Sequence, residues 1–242
     1  MMSMTEEKTK RVAIVTGAAG GLGAAVVEEL VQRGWSVAAG WHRKALIETD
    51  NVMPVALDVT STESVTMALD QVLTRWGRID LLVNNAGLTI NQTLPQTSDE
   101  DWERVMDVSL RGAFLCSKAA IRSMLKQRSG HIINISSFAA RSGPRGQVAY
   151  TSAKAALIGF TQSLAKESGS RDVQANVILP GVLPTPMTEE LPAEVMTAFA
   201  EANALGRINE TGEVARFIAL LAEMKNVSGQ VFQLDSRIAP WT

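Results

Sequence analysis

The segment Thr16-Gly17-Ala18-Ala19-Gly20-Gly21-Leu22-Gly23 directly follows the apolar run Val12-Ala13-Ile14-Val15 and leads into an amphipathic stretch that closes on Gly34. A buried strand, a turn free of bulky side chains and a helix over 24–33 are what this pattern predicts. Glycines suit such a turn because side chains would hold a pyrophosphate away from the backbone amides and the helix N-terminus. The pattern therefore points to a dinucleotide cradle beyond the first strand. An ordinary glycine-rich turn is the plain alternative.

The rest of the chain agrees with that opening unit. Short β-branched runs predict strands over 12–15, 36–39, 52–57, 81–84, 131–135, 174–179 and 230–234. Helical patterns fall between them, over 24–33, 62–76, 99–128, 150–167 and 212–222, the second behind a capping box Thr60-x-x-Glu63. Such alternation predicts a doubly wound Rossmann-type α/β fold, a seven-stranded mainly parallel sheet with helices on both faces. At 242 residues the chain suits one domain spanning 1–242, with a polar extension over 1–10. The site should lie at the carboxyl ends of the strands.

Charge and composition narrow the partners. A net charge of -2 offers no electrostatic footprint for nucleic acid or an anionic membrane. No apolar run approaches the ~20 residues that span a bilayer, and the polar start has no apolar core of the signal-peptide kind, so a cytoplasmic protein is expected. Cys116 is the single cysteine, which excludes an intrachain disulfide and a thiolate metal cluster; within Phe114-Leu115-Cys116 it reads as a small buried hydrophobe. His42 and His131 form neither a Ser-His-Asp triad nor a metal site, and His131, opening a strand, reads as structural.

Candidate chemistry gathers in the second half. Tyr150 and Lys154 stand four residues apart, on one helical face, so the ammonium can favour the phenolate. A free tyrosine titrates near ~10, too high for proton transfer at neutral pH without such help. Ser137, thirteen residues before Tyr150, could hydrogen-bond a substrate carbonyl as charge develops on its oxygen. The three together predict carbonyl/alcohol redox. Tyr-x-x-x-Lys by itself also occurs on ordinary exposed helices.

Thr16 to Gly23, Asn84-Asn85-Ala86-Gly87, Ser137, Tyr150, Lys154 and Pro180-Gly181 together resemble the short-chain dehydrogenase/reductases, from about Arg11 to Asp235. The resemblance implies that Tyr150 is the general acid, that Lys154 lowers its pKa and binds the ribose, and that Ser137, rather than Ser136, orients the carbonyl. It places Ser109 where many relatives carry an asparagine that holds a water of a proton relay. It implies cofactor contacts from Gly17, Gly21, Leu22, Gly23, Asp58, Val59, Asn85, Ala86, Gly87, Tyr150, Lys154, Pro180, Gly181, Val182 and Thr185. The acidic position that favours a free ribose falls on Trp41, followed by His42, Arg43 and Lys44, so NADP(H) is expected, with His42 and Arg43 on the 2′-phosphate; a solvated basic loop is the alternative. With only about ten residues between Trp41 and Val52, the usual second helix should be short or missing.

Residues 183–204, irregular and rich in proline at their start, correspond to the family's substrate lid. The segments around Tyr150 and Pro180 are similar to the 3-oxoacyl-[acyl-carrier-protein] reductases. Arg128 and Arg171 match the positions where those reductases receive an acidic acyl carrier protein, although both could be solvated helix-end charges. The ending Asp235-Ser236-Arg237 departs from the family's usual Asp-Gly-Gly. A homotetramer is expected, its interfaces drawing on Phe114, Ile121, Leu157, Ile158 and Phe160. A dehydrogenase for a free small alcohol, sugar or quinone-like ketone is the competing enzyme, and a non-catalytic NADP(H)-binding sensor the competing class.

Overall fold

The computed structural model describes residues 10–186, 188–189 and 191–238. Most of the expected N-terminal extension lies outside them. The strands are β1 (Val12–Val15), β2 (Ser36–Trp41), β3 (Val52–Ala56), β4 (Leu81–Asn84), β5 (Gly130–Ile135), β6 (Val173–Leu179) and β7 (Val231–Gln233). They form one sheet in the order β3-β2-β1-β4-β5-β6-β7, with every pairing parallel. The helices are α1 (Gly21–Gln32), α2 (Thr62–Trp76), α3 (Asp99–Met106), α4 (Gly112–Gln127), α5 (Ala139–Ser142), α6 (Val148–Ser168), α7 (Ala193–Glu201) and α8 (Thr211–Leu221).

A strand with both faces covered reads as a continuous apolar run, and β1 shows why. Its Ala13 and Val15 enter a core with Val26 and Leu30 of α1 and Val214 and Ile218 of α8. Val12 and Ile14 enter the opposite core, with Val65 and Leu69 of α2 and Ala120 and Met124 of α4. Full burial of a leucine such as Leu30 contributes about 2 kcal/mol. Cys116 is fully buried in the second core, as its apolar neighbours predict, and burial pushes its thiol up to about 12. The strand order turns back between β1 and β4, which opens a crevice at their carboxyl ends. No described helix is long and apolar enough to cross a membrane.

Several boundaries differ from expectation for identifiable reasons. Ser61, not Thr60, caps α2 by accepting from the Ser64 amide at 3.2 Å, because Thr60 gives its hydroxyl to Asp58 Oδ1 at 2.7 Å. The stretch 99–128 is helical nearly throughout but passes through a π-helical turn at Asp107–Arg111, between α3 and α4. Residues 42–51 contain no helix, as their shortness predicts, and only a bridge between Thr49 and Val52. The segment 183–204 is less irregular than its prolines suggest, since Pro192 precedes α7 and sits where a missing amide hydrogen costs nothing.

Candidate active site

The glycine turn is held in place by its own backbone and by the end of β4. Gly17 takes φ +64, and a Cβ there would lie 3.1 Å from Ala86 Cα. A Cβ on Gly23 would lie 2.3 Å from the Gly17 carbonyl oxygen, so only glycine lets α1 start against the turn. The Asn85 side-chain amide donates to Thr16 O at 3.0 Å and Gly17 O at 3.1 Å. The buried Thr16 hydroxyl accepts from the amides of Asn85 at 3.0 Å and Ala86 at 2.9 Å. Thr16 is a site residue missed by sequence reasoning; its place at the end of a strand before the glycines was the available signal.

Gly20, the N-cap of α1, supplies no side-chain cap, and the first turn carries no acidic residue, so nothing competes with an anion for those amides. Leu22 is buried in the core and can face a ligand only with its backbone. Across the crevice, Thr185 Cγ2 lies 3.2 Å from where a Cβ on Gly21 would be. Pro180 and Val182 are pinned through their carbonyls by Asn209, at 3.0 and 3.2 Å, and Gly181 takes φ +84 against Asp235. The glycine turn, the end of β4 and Thr185 thus lie together.

At the end of β2, Trp41 is half-buried and Arg43 and Lys44 are exposed. His42 Nε2 stands 3.8 Å from Asp58 Oδ2. Thr60 donates its hydroxyl and its amide to Asp58 Oδ1, and this, opposed by burial and aided by His42, lowers the Asp58 carboxyl below its ordinary value. Val59 is buried against the start of α4, where a Cβ on Gly112 would meet its Cγ2 at 2.7 Å.

The triad residues meet where β5 ends and α6 begins. The two adjacent serines have different duties: Ser136, 2% exposed, donates to Lys154 O at 2.7 Å, while the half-buried Ser137 hydroxyl accepts from the Ala139 amide at 3.1 Å. Lys154 is 3% exposed and donates from Nζ to Ile135 O at 2.7 Å. Its Nζ lies 5.7 Å from the centroid of the Tyr150 ring. Burial pulls the ammonium down to about 8. Burial raises the Tyr150 phenol above its ordinary value, while a hydrogen bond from Ser137 pulls the other way. A Cβ on Gly87 would sit 3.3 Å from Lys154 Nζ, so that turn closes directly over the ammonium.

Ser109 lies in the π-helical turn, 1% exposed. Its hydroxyl accepts from the Leu88 amide and donates to the Leu88 carbonyl, each at 3.1 Å. It therefore fastens the turn that carries Gly87. Beneath the triad runs a buried polar chain that no local pattern shows. Asn84 Nδ2 donates to Ser117 Oγ at 2.9 Å and Asn134 Oδ1 at 2.7 Å, and Asn134 Nδ2 to Thr161 Oγ1 at 2.9 Å.

Arg128 and Arg171 are both exposed, and Arg128 Nη2 donates to Ser170 O at 3.4 Å, so the fold does place them side by side. They stand, however, just before β5 and β6, at the amino edge of the sheet. Of the residues expected at subunit interfaces, Phe114 is 43% exposed, but Leu157 is 1% exposed and belongs to the protein interior.

A model of the short chain dehydrogenase family matches residues 11–196. The chain belongs to that family. It is accordingly an oxidoreductase, and the family's nicotinamide cofactor fits a glycine turn whose helix N-terminus carries no side-chain cap and no acidic residue. A 3-oxoacyl-[acyl-carrier-protein] reductase of Thermotoga maritima is 37% identical over 236 residues, 93% of this chain and 96% of that protein. One from Synechocystis sp. is 38% identical over 237 residues, 94% of this chain and 96% of that protein. The reductase of Escherichia coli is 36% identical over 233 residues, 93% and 96% respectively.

Proposed function

We propose that the protein is a single-domain, NADP(H)-dependent reductase that converts a 3-oxoacyl thioester, presented on an acyl carrier protein, to the secondary alcohol. The observation that carries the chemistry is the buried Lys154 ammonium beneath the Tyr150 ring, with the Ser137 hydroxyl at the phenol. The bound nicotinamide supplies the hydride in reduction and takes it in the reverse direction. Tyr150, kept protonated by its surroundings, gives its phenolic proton to the carbonyl oxygen; the Lys154 ammonium lowers the cost of the phenolate left behind. Ser137 donates a hydrogen bond to the same oxygen. Lys154 needs only one of its three donors for Ile135, and the others suit a ribose hydroxyl and a relay water. Ser109 supports that relay by fixing Leu88, and residues 183–204 cover the substrate.

The NADP(H) preference rests on Trp41 at the acidic position and on Arg43. With His42 facing Asp58, Arg43 is the better phosphate ligand of the two. The substrate class rests on the three relatives, each named for a carrier-bound 3-oxoacyl substrate. One observation favours a second reading, a free small ketone. Arg128 and Arg171 lie at the amino edge, and β5 alone, six residues long, separates Arg128 from Ser137 by roughly 20 Å. A carrier held by those arginines would have to serve another copy of the chain, which the proposed homotetramer would supply.

Turnover of acetoacetyl thioester, free and carrier-bound, with NADPH and with NADH tests the whole reading. NADPH and the carrier-bound substrate should give the higher kcat/KM. Equal constants for the two cofactors would remove the NADP assignment, and equal constants for the two substrates would favour the free ketone.

A further inference from the structure

The tail that follows β7 is tied to both segments that border the proposed reaction centre, and it is the place where the chain departs from Asp-Gly-Gly. Ser236 binds the end of the 183–204 segment: its amide donates to Asn203 Oδ1 at 3.0 Å, and its hydroxyl accepts from the Leu205 amide at 3.1 Å. Arg237 reaches the other way. Its guanidinium pairs with the buried Asp235 carboxylate and lies over the Phe138 ring, 3.7 Å from the centroid. Both side chains are shielded, Arg237 to 11% exposure and Asp235 to 1%.

Gln233 closes the arrangement. Its amide donates to Asp235 Oδ1 at 2.7 Å and to Arg237 O at 2.6 Å, and its carbonyl accepts from Arg141 Nη1 of α5 at 3.1 Å. Phe138 in turn starts α5, accepting from the Arg141 amide at 2.9 Å, directly after Ser137. A planar cation packed on a ring in a shielded place holds that ring in position and orientation. Glycines at 236 and 237 would keep the main-chain contacts to Asn203 and Gln233 but lose the Ser236 hydroxyl, the guanidinium pair and the ring contact.

We propose that Arg237 is a positioning residue for Ser137: paired with Asp235 and stacked on Phe138, it holds the Ser137–Phe138 turn so that the Ser137 hydroxyl meets the reacting carbonyl. This rests on the role given to Ser137 under the proposed function. Arg237 touches no reacting atom, and its direct route to the chemistry runs through the Phe138 ring to the neighbouring Ser137.

The experiment is a double-mutant cycle in the full chain, with NADPH and acetoacetyl thioester. The first arm is D235N/R237M, which removes the guanidinium without stranding a buried carboxylate. It should lower kcat about tenfold, in keeping with a small misplacement of a reacting group, and leave NADPH affinity by fluorescence titration within about twofold. In an S137A background the same pair of changes should cost less than about twofold more, because contributions through one group do not add. R237K, which keeps the charge beside Asp235 but loses the plane, should lose about threefold and serves if the neutral pair destabilises the fold. Equal losses in the wild-type and S137A backgrounds would overturn the proposal, as would full activity of both Arg237 variants. If S137A itself were fully active, the role of Ser137 would fall and this proposal with it; an impaired S137A beside full activity of both Arg237 variants would sink this proposal alone.

Discussion

At the amino edge of the sheet, Asp80 accepts two hydrogen bonds from Arg78, at 2.7 and 2.8 Å, and one from the Val12 amide at 2.8 Å. At the carboxyl edge, Lys154 is just as buried but has a single backbone acceptor at 2.7 Å. Nearby on the amino side, His131 Nε2 meets Asn176 Nδ2 at 2.8 Å, and Asn176 also donates to Val227 O and accepts from the Gln230 amide. At the amino edge Asp80 and Asn176 have their polar groups taken up by protein partners. The carboxyl edge leaves Lys154 with donors to spare, and desolvation there lowers Lys154 and raises Tyr150. On the proposed function the same strands carry a stabilising end and a reactive end, and substitutions at the two should separate stability from turnover.

The largest effect is expected at the reactive end. Tyr150→Phe should lower kcat by about two to four orders of magnitude, about 3–5 kcal/mol of transition-state stabilisation, while thermal unfolding and cofactor affinity stay close to wild type. Steady-state kinetics beside a melting curve check both halves; near wild-type turnover would remove Tyr150 as the acid.

His131 should act on stability alone, through pH. Burial holds its imidazole at about 4, below the unfolded value near 6.5, so between those values the unfolded chain binds the extra proton. Stability from this group is complete above about pH 6.5 and is lost as the pH falls towards 4, by at most about 3 kcal/mol. Urea titrations at pH 7 and pH 5 should show a smaller difference for His131→Gln than for the wild type, with kcat at pH 7 within about twofold. An unchanged acid limb would mean that other groups carry it.

The smallest effect is expected from Asp80→Ala, because Arg78 is one-third exposed and regains water when its partner leaves. Loss of the bonds to Arg78 and the Val12 amide should cost about 2 kcal/mol in the urea midpoint with little change in kcat. A large fall in turnover at full stability would show that the two edges are coupled through β4.

Features written within a few residues were legible. The glycine turn, the alternation of strands and helices, the missing helix over 42–51 and the placing of Tyr150 and Lys154 on one helix follow from backbone requirements, side-chain period and helical spacing, whereas Ser137 is singled out by the family resemblance. The single all-parallel sheet follows from connections too long for hairpins. Features that depend on distant segments were not legible. Leu157 looks like surplus apolar surface on a helix until its burial is seen. Thr60 looks like a cap until Asp58 claims its hydroxyl. Ser109 is matched to a relay position by resemblance, while its bonds to the Leu88 amide and carbonyl depend on a segment 21 residues away. Arg128 and Arg171 can be matched to carrier-binding positions by resemblance, but only the strand direction puts them at the amino edge of the sheet. Arg237 shows in the sequence only as a departure from Asp-Gly-Gly, because Phe138, the ring it covers, lies 99 residues away. Local geometry is written in short runs, whereas which donor meets which acceptor is decided only when packing brings remote segments together.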